Sequence, residues 1–363
     1  MKTAYQAVHL FSPLEDSRWD SFVERHPDSS VFHTSGWVNA LRLTYGYVPY
    51  AMSTSAPGDP LENAWLFCAI NSRLTGCRWV SLPFSDHCEP LTGCSTDLAP
   101  FVSLFGLMMR QRSRLRYFET RPLHPLEENI RCYQMRAVVA STRPYCFHSV
   151  DLTPDLEKLF RNCHKNCTQR KIQRSEREGL RYEAGQSNHL LEAFYDLHTM
   201  TRRRHGAPPQ PKSWFQNIIR SLGGPCAIRV AYKDALPIAA IITIRHKDSI
   251  VYKYGCSDPA YHNMGSMQLL FWKTIEEAKR QGLRVFDLGR SDLWNAGLIR
   301  FKDRWGSRRW IAPYVRFTSG TAPRNSYESL WPEDRARLSR DLFRYMPDFV
   351  ARAAGEMFYR HIG

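Results

Sequence analysis

No run of apolar residues in this 363-residue chain approaches the roughly 20 needed to cross a bilayer. The longest, "LPIAAIITI", has the length of a strand and is bounded by charge. The opening "MKTAYQAVHLFSPLEDSRWD" holds one lysine and no continuous apolar core, which argues against a secretory signal. Both absences point to the cytoplasm and leave open a peripheral contact with the inner face of an anionic membrane. CxxC spacing is also missing. The ten cysteines are scattered, and Cys163 and Cys167, four apart around His164, have no further ligands at recognisable spacing. Reduced thiols and no metal are therefore expected. Acidic residues are the scarcer charge, 35 against 50 basic ones, for a net charge of +15. That favours an anionic partner without choosing among nucleic acid, a phosphorylated carrier, a nucleotide cofactor or a membrane surface. There is no Walker loop, no dinucleotide fingerprint and no nucleophile elbow around Ser85.

What is present is an order of elements that occurs twice. In the first half, "TSGWVNALRLTYG" reads as a helix, "YVPYAMS", "NAWLFCAI" and "CRWVSLPF" as strands, and "SDHCEPLTGCS" as a loop. A helix, "TDLAPFVSLFGLMMRQR", and a strand, "LRYFET", follow. In the second half, "LLEAFYDLHTMTRRR" and "KSWFQNIIRSLG" read as helices, and "CAIRVAYK", "LPIAAIITIRH" and "SIVYKYGC" as an antiparallel meander with turns at "KDA" and "HKDS". A loop, a helix over Ser266 to Gln281 and the strand "RVFDLG" complete that copy. The expected fold is α/β (α+β), with two tandem domains, each a mixed, mainly antiparallel sheet flanked by helices. The domains are placed at 1–150 and 151–330, joined through about 120–160, with a basic amphipathic tail at 331–363 split by Pro347.

The loop "GCSDPAYHNMGSMQLLFW" draws attention because it passes from strand to helix at a glycine. The first turn of a helix leaves backbone N–H groups unpaired and partly positive. Asn263, Gly265, Ser266 and Met267 are therefore candidates to hold a phosphate, the glycine letting it approach the backbone closely. The helix behind them has an apolar stripe of Met267, Leu270, Phe271, Ile275 and Ala278, expected to lie on the sheet. The segment "NCHKNCTQRKIQRSEREG" reads as a basic helix that either meets phosphates or is a solvated face.

A meander, this loop, a helix and a strand resemble the GNAT acyltransferase superfamily. The tandem order, with "LHTMTRRRHGAPPQPKSWF", "YKYGCSDPAYHNMGSMQLLFW" and "FDLGRSDLWNAGLIRFKDRWG" in the second half and "FHTSGW" and "LPFSDHCEP" in the first, resembles its Fem-type (FemAB-like) members. These segments span most of residues 30 to 317. The loop departs from the superfamily in having one well-placed glycine, and His262 stands where a basic group is usual. The resemblance implies acyl or aminoacyl transfer to an amine of a nucleotide- or lipid-linked envelope precursor, of peptidoglycan or polysaccharide. The donor would be acyl-CoA or aminoacyl-tRNA, undecided between the two, with no metal.

Such a transfer orients an amine, removes a proton and stabilises a negative oxygen. Lys302 in "FKDRW" resembles the Fem-type phenylalanine-lysine motif, in which the lysine is expected to stabilise donor phosphate or developing charge. Arg290, Arg300 and Arg304 are candidates beside the donor, Arg300 and Arg304 alternating with Ile299, Phe301 and Trp305 as on a strand edge. Asp292 and Asp258 are candidates to receive the proton, or turn caps, and His205 is a candidate base. Arg203, Arg204, Tyr252 and Tyr254 are expected on the acceptor side, the two tyrosines sharing one face of their strand, together with Asp86 and His87 from the first half. Two other readings stay open: an acyl-CoA-dependent N-acetyltransferase acting on an amino sugar or small amine, and a non-catalytic nucleic-acid-binding protein, although the basic residues are spread over several segments.

Overall fold

The computed structural model describes residues 7–93, 98–112, 114–126, 138–319, 343 and 346–362. The strands are β1 His9–Phe11, β2 Val48–Ser53, β3 Trp65–Ser72, β4 Gly76–Ser81, β5 Leu115–Thr120, β6 Val138–Asp151, β7 Arg181–Gly185, β8 Cys226–Lys233, β9 Leu236–His246, β10 Ser249–Ser257, β11 Val285–Ser291 and β12 Arg308–Ser319. The α-helices are α1 Arg18–Arg25, α2 Ser35–Tyr45, α3 Leu98–Gln111, α4 Leu156–Asn162, α5 Arg170–Arg177, α6 Asn188–Arg204, α7 Lys212–Leu222, α8 Ser266–Arg280, α9 Ala296–Asp303 and α10 Asp348–Ile362. Among the described residues, no helix is long and apolar enough to cross a membrane.

Two compact units emerge. The first comprises the described residues up to Tyr145, those from Ile311 through 319, and Phe358 onward; the second comprises Cys146–Trp310 and the described residues leading to Met357. Both realise the repeated order. In the first, β2, β3 and β4 form an antiparallel meander and β5 runs parallel to β4 after α3. In the second, β8, β9 and β10 form the meander and β11 runs parallel to β10 after α8. The strands β1 and β7 extend the outer edges antiparallel to β2 and β8.

The last strand of each sheet departs from the sequence reading. β6 follows β5 in the chain but pairs with β11, from Cys146↔Ser291 to Asp151↔Val285. β12 follows β11 but pairs with β5, from Val315↔Thr120 to Thr318↔Tyr117. Each sheet is thus completed by a strand that follows the other copy. Residues from Ile311 onward therefore belong to the first unit, and the stretch read as a connection supplies a second-unit strand. Residues 127–137, 331–342, 344–345 and 363 of the expected connection and tail lie outside the described ones.

Periodicity explains the packing. α3 buries Phe101, Val102, Phe105, Met108 and Met109, one helical stripe. Phe105 stacks on Phe118 of β5 at 4.1 Å, with Trp65, Phe67 and Phe317 around them. α8 buries Leu270, Phe271, Ile275 and Ala278 as its stripe requires, against Ile238, Ile241 and Phe286 of the sheet. The basic segment is shorter than its sequence reading. It starts with a π turn, Lys165–Gln169, then α5, because His164 Nδ1 accepts the Cys167 amide and caps the turn.

Candidate active site

The parallel pair of the second unit comes apart. β10 and β11 are in register at only three positions, Ser249↔Val285, Ile250↔Phe286 and Val251↔Asp287. β10 then continues to Ser257 beside β9, and β11 to Ser291 beside β6, without pairing to each other. Each strand carries an irregularity at the parting point, between Tyr252 and Tyr254 on β10 and between Asp287 and Gly289 on β11. An extra residue in one strand bends it and increases its twist.

The bend in β11 is held from three sides. Gly289 has φ +70°, a conformation that favours glycine, and its amide donates to Asp287 Oδ1 at 2.6 Å. Lys302, 2% exposed on α9, donates from Nζ to the carbonyls of Gly289 at 2.8 Å and Arg290 at 2.9 Å. His148, opposite Gly289 on β6, is fully buried and meets Asp303 Oδ1 at 3.2 Å. Burial first, then the Lys302 charge, brings the His148 pKa down to about 4, against the pull of Asp303. Lys302 thus spends two of its donors on the kink that opens the wedge.

The extra residue in β10 also separates the two tyrosines expected on one face. Tyr252 packs on Phe271 of α8, ring centroids 4.7 Å apart, and a Cβ on Gly255 would overlap its hydroxyl. Tyr254 points to the other side, where its hydroxyl accepts Trp214 Nε1 at 2.7 Å and its ring meets Phe215 at 5.2 Å. A one-residue slip moves every later side chain to the opposite face.

Beyond β10 the chain makes a 3₁₀ turn, Pro259–Met264, and enters α8. Asp258 Oδ1 accepts the Ala260 amide at 2.9 Å, so its carboxylate caps this turn. Gly265 has φ +80°, and a Cβ there would overlap the Lys171 carbonyl of α5. The glycine is therefore demanded by backbone conformation and by the approach of α5, a different reason from the expected approach of a phosphate. Gly265 and Ser266 are buried, Met267 is half-buried against the core, and Asn263 is exposed.

Cations do gather at this loop. Lys171 Nζ donates to the His262 carbonyl at 3.1 Å, and Arg204 Nη1 donates to the Ser257 carbonyl at 3.3 Å. Burial, Arg204 and Lys171, in that order of weight, push the pKa of His262 below its ordinary value, while its Nε2 meets Ser257 Oγ at 2.9 Å. His262 is therefore neutral near pH 7, and Lys171 and Arg204 supply the positive charge. His205 ends α6, and burial followed by Arg204 and Arg202 lowers its pKa too.

The other expected residues are dispersed. Arg290 and Asp292 face each other at 4.0 Å at the end of β11. Arg300 is on the exposed side of α9 and exposed Arg304 is its C-cap, a helix rather than the alternating strand edge expected, because half-buried Leu298 and buried Lys302 and Trp305 recur at helical spacing. Arg203 is exposed in the last turn of α6. In the first unit, His87 is buried edge-on against Phe32 at 5.1 Å, and the Asp86 carbonyl accepts the Tyr314 hydroxyl at 2.7 Å.

Two features escaped sequence reasoning. The bulge at Gly289 was signalled by a glycine inside the strand "FDLGRS". Ser291 at the end of β11 is buried, with a hydroxyl that finds no hydrogen-bond partner among the described residues; nothing in its local sequence marks it.

Residues 161–303 match the family model described as an acetyltransferase (GNAT) domain. The sequence matches none of the curated proteins compared with it. Among solved structures, FemX is similar over 85% of this chain and 96% of its own, at 12% identity and a TM-score of 0.65. The C-terminal domain of a candidate lysylphosphatidylglycerol synthetase from Agrobacterium fabrum is similar over 84% and 91%, at 17% identity and a TM-score of 0.55. A tandem GNAT protein from the clavulanic acid biosynthesis pathway is similar over 87% and 100%, at 10% identity and a TM-score of 0.54. The family match covers the α5–α9 region, where the opened strand pair and its cations lie, and it replaces the reading as a non-catalytic nucleic-acid-binding protein. Residues 161–303 thus carry a GNAT-type acetyltransferase domain, in a chain whose tandem fold is like those of FemX and the clavulanic acid pathway protein.

Proposed function

We propose that this acyltransferase passes an acyl or aminoacyl group from an anionic donor to an amine of a cell-envelope precursor, nucleotide- or lipid-linked. The observation that carries the reading is the parting of β10 and β11 after Val251↔Asp287, beside a helix N-terminus flanked by Lys171 and Arg204. An extended, amide-bearing donor arm suits an open strand edge, because backbone N–H and C=O groups there pair with a ligand as they would with a strand. Its phosphates suit the loop, where guanidinium, ammonium and helix dipole act together. Acyl-CoA is the donor usual for the domain family; aminoacyl-tRNA is the alternative that the Fem-type resemblance implies.

In the proposed reaction the amine nitrogen attacks the acyl carbonyl carbon. A C–N bond forms, the carbonyl oxygen becomes negative, and the C–S bond of a thioester or the C–O bond of an ester then breaks. The amine gives its proton to a base and the departing sulfur or oxygen takes one up. Amides on the open edge of β10 are suited to the negative oxygen. His205, neutral at pH 7, and Asp292 are the candidate bases, since the Asp258 carboxylate is engaged in its cap. Lys302 acts by holding the β11 kink, and Tyr252 lines the wedge on the α8 side.

The test is a thermal-shift panel of acetyl-CoA, longer acyl-CoAs and aminoacyl-tRNA, followed by transfer assays with nucleotide-linked and lipid-linked amine acceptors. A donor at 100 times its Kd should add about 2.7 kcal/mol of stability and raise Tm by a few degrees. Absence of stabilisation by every donor refutes the reading. Turnover on a free amino sugar with acetyl-CoA alone favours the narrower N-acetyltransferase.

A further inference from the structure

The most exposed large apolar side chain among the described residues is Trp294, at 77%, and its neighbour Leu293 is 47% exposed. They form the tip of the loop between β11 and α9, at the carboxyl end of the strand that bounds the wedge. The loop is built, not frayed. The Asn295 amide donates to the Asp292 carbonyl at 2.9 Å, the Ala296 amide to the Trp294 carbonyl at 3.0 Å, and Asn295 Oδ1 accepts the Leu298 amide at 3.1 Å to cap α9. A rigid turn therefore holds an indole and an isobutyl group out in water, where they gain nothing for folding.

Behind the tip, Gly297 and Arg300 on the exposed face of α9 and Arg304 at its C-cap recur at i, i+3 and i+7. Neither Arg300 nor Arg304 is in an ion pair among the described residues. The nearby carboxylates are engaged: Asp292 faces Arg290 at 4.0 Å, and Asp303 meets Arg309 and His148, each at 3.2 Å. An apolar tip with unneutralised arginines set back from it suits a bilayer surface. At such a surface the indole would sit at headgroup depth, the leucine would reach the acyl boundary, and the guanidinium groups would meet lipid phosphates. Nucleic acid would use the ring and the arginines but not an exposed leucine.

We infer that the Leu293–Trp294 loop and the Arg300–Arg304 face of α9 form a docking surface for an anionic lipid bilayer. Its purpose rests on the proposed function, since it would bring the wedge to a membrane-borne acceptor. Its binding does not depend on that reading and is measured without substrates.

The experiment is co-sedimentation of the full chain with vesicles of phosphatidylcholine alone and of phosphatidylcholine mixed with phosphatidylglycerol. The wild type should bind the mixed vesicles, release them at high salt, and bind the neutral ones weakly. Leu293→Ser/Trp294→Ser should weaken binding about tenfold or more, and each of Arg300→Ala and Arg304→Ala about fivefold. Phe349→Ser on α10, another exposed aromatic, should leave binding unchanged. Transfer to a water-soluble amine acceptor by Leu293→Ser/Trp294→Ser should match the wild type, which also shows that the variant folds. Equal binding of that variant and wild type overturns the inference. So does loss of binding through Phe349→Ser, or Trp294-dependent binding of single-stranded RNA with none to vesicles. Vesicle binding without transfer to any acceptor would leave the docking surface standing and remove the proposed function instead.

Discussion

In the first unit, β4 and β5 stay paired to the last residue of both strands, Ser81↔Thr120; in the second, β10 and β11 part with six and four residues still to run. The order of elements is the same, so topology does not decide which copy carries a site. The difference lies in what the chain does after the strand pair. The first unit turns its polar groups on itself. Arg121 Nη1 donates to the carbonyls of Leu82 and Ser85, Glu89 accepts the Leu123 amide at 2.7 Å, and buried Glu119 lies between Arg121 at 3.0 Å and Arg316 at 2.7 Å. The second unit uses Lys302 and Asp287 to hold a bend, and gathers Lys171 and Arg204 around the loop beside it. One copy keeps its strand pair closed, the other opens it.

The largest effect should come from the residue that keeps the second pair open. Lys302→Met leaves two carbonyls short of their donor and releases the kink. Turnover is expected to fall about 100-fold or more, with a stability loss of about 1–3 kcal/mol by denaturant titration. The corresponding change in the first unit, Arg121→Met, should destabilise that unit while the donor Kd of the folded protein stays within about twofold of wild type. Similar loss of donor binding in both variants would erase the contrast.

Glycine substitutions sharpen it next. Gly265→Ala combines φ +80° with overlap on the Lys171 carbonyl, for an expected cost of about 2–4 kcal/mol. Gly46→Ala, after α2 at φ +71° with nothing within 4 Å, should cost about 1 kcal/mol. Urea unfolding of the two variants measures the difference. Arg204→Ala should then raise the donor Kd about tenfold, and Lys171→Ala about threefold, both effects shrinking with added salt.

Acid should also separate the units. Burial and Arg202 bring His198 down to about 3, and burial and Lys302 bring His148 to about 4, against 6.5 ordinarily. The unfolded chain takes up these protons first. The second unit therefore loses stability as pH falls below about 6.5, the His148 contribution going by about 4 and the His198 contribution by about 3. In the first unit burial opposes Glu119 ionisation, but Arg121 and Arg316 prevail and hold its pKa below 4.5, so that contribution is lost only below about 4.5. Hydrogen exchange at pH 7, 5.5 and 4 should show second-unit strands losing protection first.

Much of this architecture could be read in the chain because its signals are local. β8 and β9 have the predicted bounds, since alternating apolar residues end at turns where Asp234 and Lys247 take positive φ. The α8 stripe likewise identified its buried face. What escaped was non-local or broke a period. β6 and β12 find their partners in the other copy's strand pair, a choice no window of sequence contains. The extra residue between Tyr252 and Tyr254 reversed the face of Tyr254. "IRFKDRW" alternates like a strand, yet its polar members include a buried Lys302 at helical spacing from Leu298 and Trp305. At Gly265 the sequence suggested a phosphate, whereas the neighbour that explains the glycine is the α5 backbone.

The central claim is that donor occupies the opened pair of the second unit, and hydrogen–deuterium exchange with and without donor tests it most directly. With acetyl-CoA or aminoacyl-tRNA bound, protection should rise in β10 from Tyr252 to Ser257 and in the first turn of α8, and remain unchanged in β4, β5 and the 82–90 loop. Protection confined to the first unit, or none in β10 at saturating donor, would contradict the account.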